Sequence, residues 1–285
     1  MNIAFYINDF KPGAKAAAVE LLSRAKELGL EVVGISALST LHSALCTPHS
    51  APCIIIALGG DGTILRCVHE HPGIPVIGFN LGGLGYLSTV EKKDFDSALE
   101  LIAEGRYRIA ERTMLSIDGH LALNDIVITR EMTGHAALLD LSVDGRRATR
   151  YLADGLVIAT PTGSTAYSLS AGGPVVMSDS RSFVITPMNP HALGIRPQVV
   201  SDSVRISVAS IVRGQSSTSQ LPNSRPLNLS TSLGIYADGE AVAMLAPGES
   251  VEIVKAGQVA KFVELEGYDP YAILAHKLGW TGTSL

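Results

Sequence analysis

Long apolar runs, a basic surplus, paired cysteines and the two commonest phosphate-loop signatures are missing from this chain, and each absence removes a class of function. No apolar stretch approaches the ~18 residues that a membrane helix needs, and the start, MNIAFYINDF, carries no cationic leader before Asp9 and Lys11. The expectation is a soluble, cytoplasmic protein with no membrane partner. Lys and Arg number 22 against 27 Asp and Glu, a net charge of -5, which speaks against a general nucleic-acid surface. The three cysteines, Cys46, Cys53 and Cys67, form no CxxC pair and cannot all be bridged, which suits a reducing compartment and leaves a thiol mechanism without support. There is no GxGxxG spacing of a hydride-transfer fold and no Gly-Lys pair, hence no GxxxxGK[ST] loop. Nor does any lysine occur between Lys93 and Lys255. A triphosphate in the cleft is therefore expected to be neutralised mainly by backbone amides, arginines and a divalent ion, most naturally Mg²⁺.

What is present is apolar and patterned. Hydrophobic residues make up 46% of 285, enough to bury a core, and the length favours two domains sharing a cleft. IAFYI (3–7) is a bounded strand. AKAAAVELLSRAKEL (14–28) repeats apolar residues at helical spacing until Gly29. A short strand is expected at 31–35. CIIIAL (53–58) is a buried strand ending in Gly59-Gly60-Asp61-Gly62, with a helix predicted over 63–70, and IPVIGFN (74–80) is a strand running into a second glycine cluster. Such alternation implies a mainly parallel sheet with ligands beyond the carboxyl ends of its strands. From about Arg112 the chain reads as all-β. TMLSI, HLALNDIVITR, AALLDLSVDG, GLVIAT, SFVITP, VRISVAS, LGIYADG and VEIVKA are short strands between Gly, Asp and Pro turns. The polar stretch 215–232 reads as a long exposed loop or an insertion, and PYAILAHKLGW (270–280) as an amphipathic helix anchored by Trp280.

Four stretches carry candidate chemistry. Glycines after a buried strand let amide N–H groups approach a ligand, and the helix that follows adds its positive end, so 59–62 suits phosphate. A carboxylate inside such a loop repels phosphate unless it meets a cation or a hydroxyl. Asp61 thus reads as a base or metal partner, the plainer alternative being a tight turn with a helix-capping aspartate. Asn80-Leu81-Gly82-Gly83-Leu84-Gly85-Tyr86-Leu87 begins at the end of the next strand, so both clusters are expected to line one crevice. Asn124-Asp125 interrupts an apolar strand, where a polar pair needs partners or a cavity, with a bulge or edge turn as the alternative. DGLVIATPTGSTAYSLSAGGP (154–174) is dense in small hydroxyls, among which Thr162, Ser164 and Thr165 suit a base or sugar, Ala166 permits close approach and Tyr167 offers a ring face. His69-Glu70-His71 has the look of a metal cluster but, beside Pro72, reads as surface; His191 stands out for Arg196 nearby, the plainer alternative being a loop-fixing residue; and Asp238-Gly239 reads as a hairpin turn with ligand contact the lesser alternative. No metal ligand is assigned.

GGDGTILR (59–66), NLGGLGYL (80–87), LNDIVI (123–128) and the 154–174 stretch stand in the order and spacing of the NAD kinase family, and the chain resembles it through TPMNPHALGIRP (186–197) to KLGW (277–280). GGDG alone is shared with lipid and sugar kinases; the 154–174 motif is the diagnostic one. The resemblance implies a Rossmann-like α/β domain (1–110), an all-β NAD-binding domain (111–258) and a tail (259–285) packing back on the first. It implies transfer of a phosphoryl group from ATP, or from polyphosphate, to the 2'-hydroxyl of the adenosine ribose of NAD, giving NADP. A homodimer or homotetramer is implied as well. By position, Asp61 resembles the catalytic aspartate, with Gly59, Gly60, Gly62, Thr63, Arg66, Asn80, Gly85 and Tyr86 around the nucleotides. Asn124 and Asp125 resemble the pair that grips ribose and base. Thr162, Thr165, Ala166, Tyr167 and Ser170 resemble the adenosine pocket, and Asp154 the acid at the far side of the dinucleotide. One departure stands out: relatives place a polar residue two positions before Asp154, where this chain has Leu152, so Arg147 or Arg150 is expected to supply the charge. The competing readings are a GGDG kinase of a lipid or sugar and a non-catalytic dinucleotide sensor.

Overall fold

The computed structural model describes residues 1–8, 10–34, 53–131, 136–211 and 232–280. Nearly all of the expected loop at 215–232, the end of the strand predicted over 31–35, and Cys46 lie outside these ranges. The chain forms two units, one from Met1–Glu111 together with the chain from Ala260, the other from Arg112–Val259.

The first unit is built on parallel strands. β1 (Asn2–Ile7), β2 (Glu31–Val32), β3 (Cys53–Leu58) and β4 (Val76–Asn80) lie in the order β4-β3-β1-β2, with β5 (Val90–Glu91) also parallel to β4. Every residue of β3 and β4 is buried, which explains why both read as unbroken apolar runs. Helices α1 (Ala14–Glu27) and α3 (Phe95–Ala103) bring Ala18, Leu21, Phe95 and Leu99 onto the face that carries Ile54, Ile56, Ile77 and Phe79. Helix α2 (Asp61–Glu70) takes the other face: a Cβ on Gly78 would meet Ile64 Cδ1 at 2.1 Å, and Gly78 alternates with the α1/α3 side. Two features differ from the sequence expectation. α2 starts at Asp61 rather than Thr63, and α3 was not foreseen.

In the second unit, β6 (Tyr107–Ile117) enters and pairs with β7 (His120–Ala122). β8 (Asp125–Arg130), β9 (Ala137–Val143), β10 (Arg146–Ala153) and β11 (Gly155–Ala159) follow. After a 3-10 turn at Thr162–Thr165 and the one-turn helix α4 (Tyr167–Ser170) come β12 (Ser182–Met188), β13 (Gln198–Ser201), β14 (Ile206–Ser210), β15 (Leu233–Ala237), β16 (Glu240–Leu245) and β17 (Ser250–Leu265). One antiparallel sheet has the order β13-β12-β11-β8-β15-β16; β10, β9, β14 and the first part of β17 form a second antiparallel array. Leu139, Leu141, Tyr151 and Val208 of the second pack with Ile126, Leu156, Phe183 and Ile235 of the first in a single core. The predicted strand 120–130 is in fact two, broken at Leu123-Asn124. β10, β13 and β16 went unrecognised in the sequence.

β17 does not end at Gly257 but runs on into the first unit, where Phe262 pairs in parallel with Val76. α5 (Pro270–Leu278) follows, its first turn capped by Asp269 through the Tyr271 and Ala272 N–H groups. Trp280 is 57% exposed, so it is not the anchor expected; Leu274 is the buried residue of this helix.

Candidate functional site

The register Leu58↔Phe79 places the two glycine clusters side by side at the carboxyl ends of β3 and β4, and Gly59 N–H bonds Phe79 O at 3.0 Å. Asp61 is the first residue of α2 and makes no capping bond. Its carboxylate crosses instead to the second cluster: Oδ1 accepts from Leu87 N (3.1 Å), Ser88 N (2.9 Å) and Ser88 Oγ (2.9 Å), and Oδ2 from Tyr86 N (2.9 Å). Gly85 makes this possible, because a Cβ there would lie 2.0 Å from Asp61 Oδ1 and 2.1 Å from Ser88 Oγ.

Beside the loop opens a cavity of about 590 Å³, lined in part by Asn8, Gly60, Gly62, Thr63 and Arg66. Gly60 and Gly62 face open space, so a ligand can reach their backbone. Gly59 cannot carry a side chain, since its Cβ would strike Thr63 Oγ1 at 2.2 Å; that hydroxyl also accepts from Asn8 Nδ2 at 3.1 Å. Asn80 is buried with its amide fully engaged, Oδ1 by Lys11 Nζ (2.8 Å) and Gly82 N (3.0 Å), Nδ2 by Gly83 O (2.6 Å) and Ser88 Oγ (2.8 Å). These four bonds use both lone pairs and both protons of the amide and give Asn80 a structural place beside Asp61. Lys11 is the residue that sequence reading missed: an isolated lysine 69 positions away from Asn80 gives no motif. Lys277 sits over the Tyr86 ring at 5.4 Å from its centroid, within cation–π range, while burial and then Asp61 push the Tyr86 phenol up.

The second constellation lies in the β-rich unit. Asp238 and Gly239, at φ 49° and 85°, form the two-residue turn between β15 and β16. The Asp238 carboxylate reaches back to accept from Leu123 N (2.7 Å), Asn124 N (2.8 Å) and Asp125 N (3.0 Å). These bonds break the 120–130 strand and hold Asn124 and Asp125 at its kink. The 3-10 turn docks on the same point, with Thr160 N bonding Asn124 O at 2.9 Å; a Cβ on Gly163 would meet that carbonyl at 1.9 Å. Asp125 is 5% exposed, and its carboxyl is pushed up to about 7, chiefly by burial, then by Asp238, against the Tyr167 N–H that bonds it. It therefore holds a proton part of the time at neutral pH.

The hydroxyls of this turn are partly committed. Thr165 Oγ1 donates to Thr162 O at 3.1 Å, and Ser164 is buried, bonding Pro161 O and Val176. Ala166 is half-buried, Ser170 exposed, and Tyr167 46% exposed, free to offer its ring. Asp154 pairs with Arg130 at 2.8 Å and accepts from Asn189 Nδ2 at 3.0 Å. The arginine expected near it is thus Arg130; Arg147 and Arg150 both bond Asp140 instead. His69 and Glu70 are exposed, and Glu70 accepts the Tyr6 hydroxyl. No group of three or more His, Cys, Asp or Glu able to hold a metal occurs among the described residues. Burial holds the Cys67 thiol protonated, pushed up to about 12, and no helix among the described residues is long and apolar enough to cross a membrane.

Glycine loops at the carboxyl ends of parallel strands in one unit, and a hydroxyl-lined turn in a second, β-rich unit, define a two-unit nucleotide-binding protein of the kind that handles phosphate esters. Residues 4–107 match the ATP-NAD kinase N-terminal domain and 123–265 the ATP-NAD kinase C-terminal domain. The NAD kinase of Chlorobium phaeobacteroides is 35% identical over 98% of this chain and 97% of its own length; that of Symbiobacterium thermophilum is 35% identical over 98% and 99%. Among solved structures, yeast NADH kinase complexed with NADH has a TM-score of 0.76 at 25% identity, covering 100% of this chain and 89% of that one. An NAD kinase from Archaeoglobus fulgidus in complex with ATP has the same score and identity, covering 99% and 100%. The chain belongs to the NAD kinase family. It is a phosphotransferase that phosphorylates NAD to NADP.

Proposed function

We propose that this enzyme transfers the γ-phosphoryl group of ATP to the 2'-hydroxyl of the adenosine ribose of NAD, with Asp61 as general base. The observation that carries the reading is the posture of Asp61, held at a helix start by four donors with one acceptor position of Oδ2 still open. A ribose hydroxyl is a poor nucleophile at neutral pH, so a base within hydrogen-bond reach is needed. The proton passes from the hydroxyl to Asp61, the ribose oxygen bonds to the γ-phosphorus, and the bond to the bridging oxygen breaks, releasing ADP.

Gly60 and Gly62 offer amides, and Arg66 charge, to the donor phosphates along the cavity they line with Thr63. Mg²⁺ fits as a guest of the nucleotide: such ions are commonly held by one or two carboxylates plus substrate phosphates, and the described residues offer no cage of their own. When bound it neutralises phosphate charge. Asn124 and Asp125 receive the adenosine, with Thr162, Thr165, Ala166, Tyr167 and Ser170 around it, and Asp154 lies toward the other end of the dinucleotide. The setting is cytoplasmic and the assembly a homodimer or homotetramer.

Incubation with NAD, ATP and Mg²⁺, followed by NADP detection with an NADP-specific dehydrogenase, tests the reading. Asp61→Asn is expected to lose about 10²- to 10⁴-fold in kcat while binding NAD nearly as the parent does; turnover at the parent rate would remove Asp61 from the mechanism.

A further inference from the structure

Lys11, Asn80 and Ser88 form a hydrogen-bonded line that ends on Asp61, and its chemistry fixes the sense of every bond in it. An ammonium group and a backbone N–H can only donate. The end of the Asn80 amide that meets both Lys11 Nζ (2.8 Å) and Gly82 N (3.0 Å) is therefore its carbonyl oxygen. The amide nitrogen must then point to Gly83 O (2.6 Å) and Ser88 Oγ (2.8 Å). Ser88 Oγ, already accepting from Asn80, has one proton to give, and Asp61 Oδ1 stands 2.9 Å away.

The line makes the two oxygens of Asp61 unequal. Oδ1 receives three donors, from Ser88 Oγ, Ser88 N and Leu87 N, whereas Oδ2 receives only Tyr86 N. A carboxylate oxygen has about two lone-pair positions, so Oδ1 is saturated and Oδ2 keeps one open. Asn80 and Ser88 are both buried, so water does not compete for these bonds, and a buried network satisfied at every member holds a single arrangement.

We infer that Lys11 and Ser88 are positioning residues for the phosphoryl transfer, setting the Asp61 carboxylate so that Oδ2 takes the ribose proton. This rests on Asp61 being the base. Lys11 supplies the charged end of the line, which strengthens its bond to Asn80; Ser88 supplies the last proton. Neither touches the reacting atoms in this arrangement.

The test measures kcat, and KM for NAD and for ATP, in Ser88→Ala, Lys11→Met and Lys11→Arg, with each change also introduced into Asp61→Asn. Loss of one buried donor predicts a roughly tenfold fall in kcat for Ser88→Ala, and about threefold to tenfold for Lys11→Met. Both KM values should stay within about twofold, since the losses fall on the reacting step. Lys11→Arg should recover most of the rate, and no change should slow Asp61→Asn further, because residues acting through one group are not additive. Equal losses in the Asp61→Asn background would overturn the proposal, as would Lys11→Met raising KM for ATP at unchanged kcat, the mark of a direct phosphate contact. If Ser88→Ala fails to fold, the half-exposed Lys11 carries the test alone. Parent-like turnover in Asp61→Asn would instead sink the general-base reading, a result separable from either of these.

Discussion

Gly85 and Asp125 show how much of the chemistry is decided one residue at a time. A single methyl group at Gly85 would occupy the position of the Asp61 carboxylate, so Gly85→Ala is expected to fold with a cost of about 1–3 kcal/mol. It should also lose roughly 10²-fold or more in kcat, read by steady-state assay beside a thermal melt. Asp125 makes a prediction about pH. Its carboxyl is raised from 3.8 to about 7, so the folded chain keeps a proton that the unfolded chain has released across this window. Stability accordingly falls as pH rises from about 4 to 7. Asp125→Asn, which has no charge to bury, should flatten that dependence and melt higher than the parent at pH 8; an unchanged slope of Tm against pH would contradict the assignment. Sequence alone made Asp61 conspicuous, because glycine density around an acid is rare. It could not show what the acid touches, since its partners lie 25 to 27 residues away.

At the scale of elements, the β15–β16 hairpin does more than reverse the chain. Its turn residue Asp238 satisfies three consecutive backbone N–H groups at the kink before β8, and an orphaned buried donor costs about 1–3 kcal/mol. Asp238→Ala should therefore lower stability by several kcal/mol at most, and raise KM for NAD by about tenfold or more while kcat at saturation changes less, because the grip on adenosine proposed for Asn124 and Asp125 is what loosens. An unaltered KM would show that Asn124 and Asp125 hold their places without the hairpin. Strands buried on both faces, such as CIIIAL and GLVIA, were legible from apolar content alone. β10 and β16 were not, because RRATRYLA and EAVAML expose much of their length at the outside of their arrays and carry polar residues there. The end of β17 was hidden by Gly257, which ordinarily punctuates a strand and here does not.

Over the whole molecule, the α/β beginning, the β-rich middle and the returning tail were readable from the change in periodicity near Arg112 and from the motifs. The chain passes between units inside continuous strands, β6 and β17, rather than in linkers of turn-forming residues. The second unit is a single uninterrupted segment with its own core. A 112–259 fragment is expected to fold alone with a cooperative melt, whereas 1–111 alone, lacking the strand that pairs Phe262 with Val76 and the helix carrying Leu274, is expected to remain unfolded or to aggregate. Circular dichroism and size-exclusion chromatography of the two fragments check both expectations.

That interrupted first unit imposes an order on synthesis. A nascent chain meets its own completion in reverse: the middle of the polypeptide can settle while the opening segment waits, its β4 edge paired only by the two residues of β5, until the end of β17 and α5 have been made. During that interval the open part of that edge is a template for the wrong partner, and the glycine loops assembled at the ends of β3 and β4 are among the last parts of the enzyme to become secure.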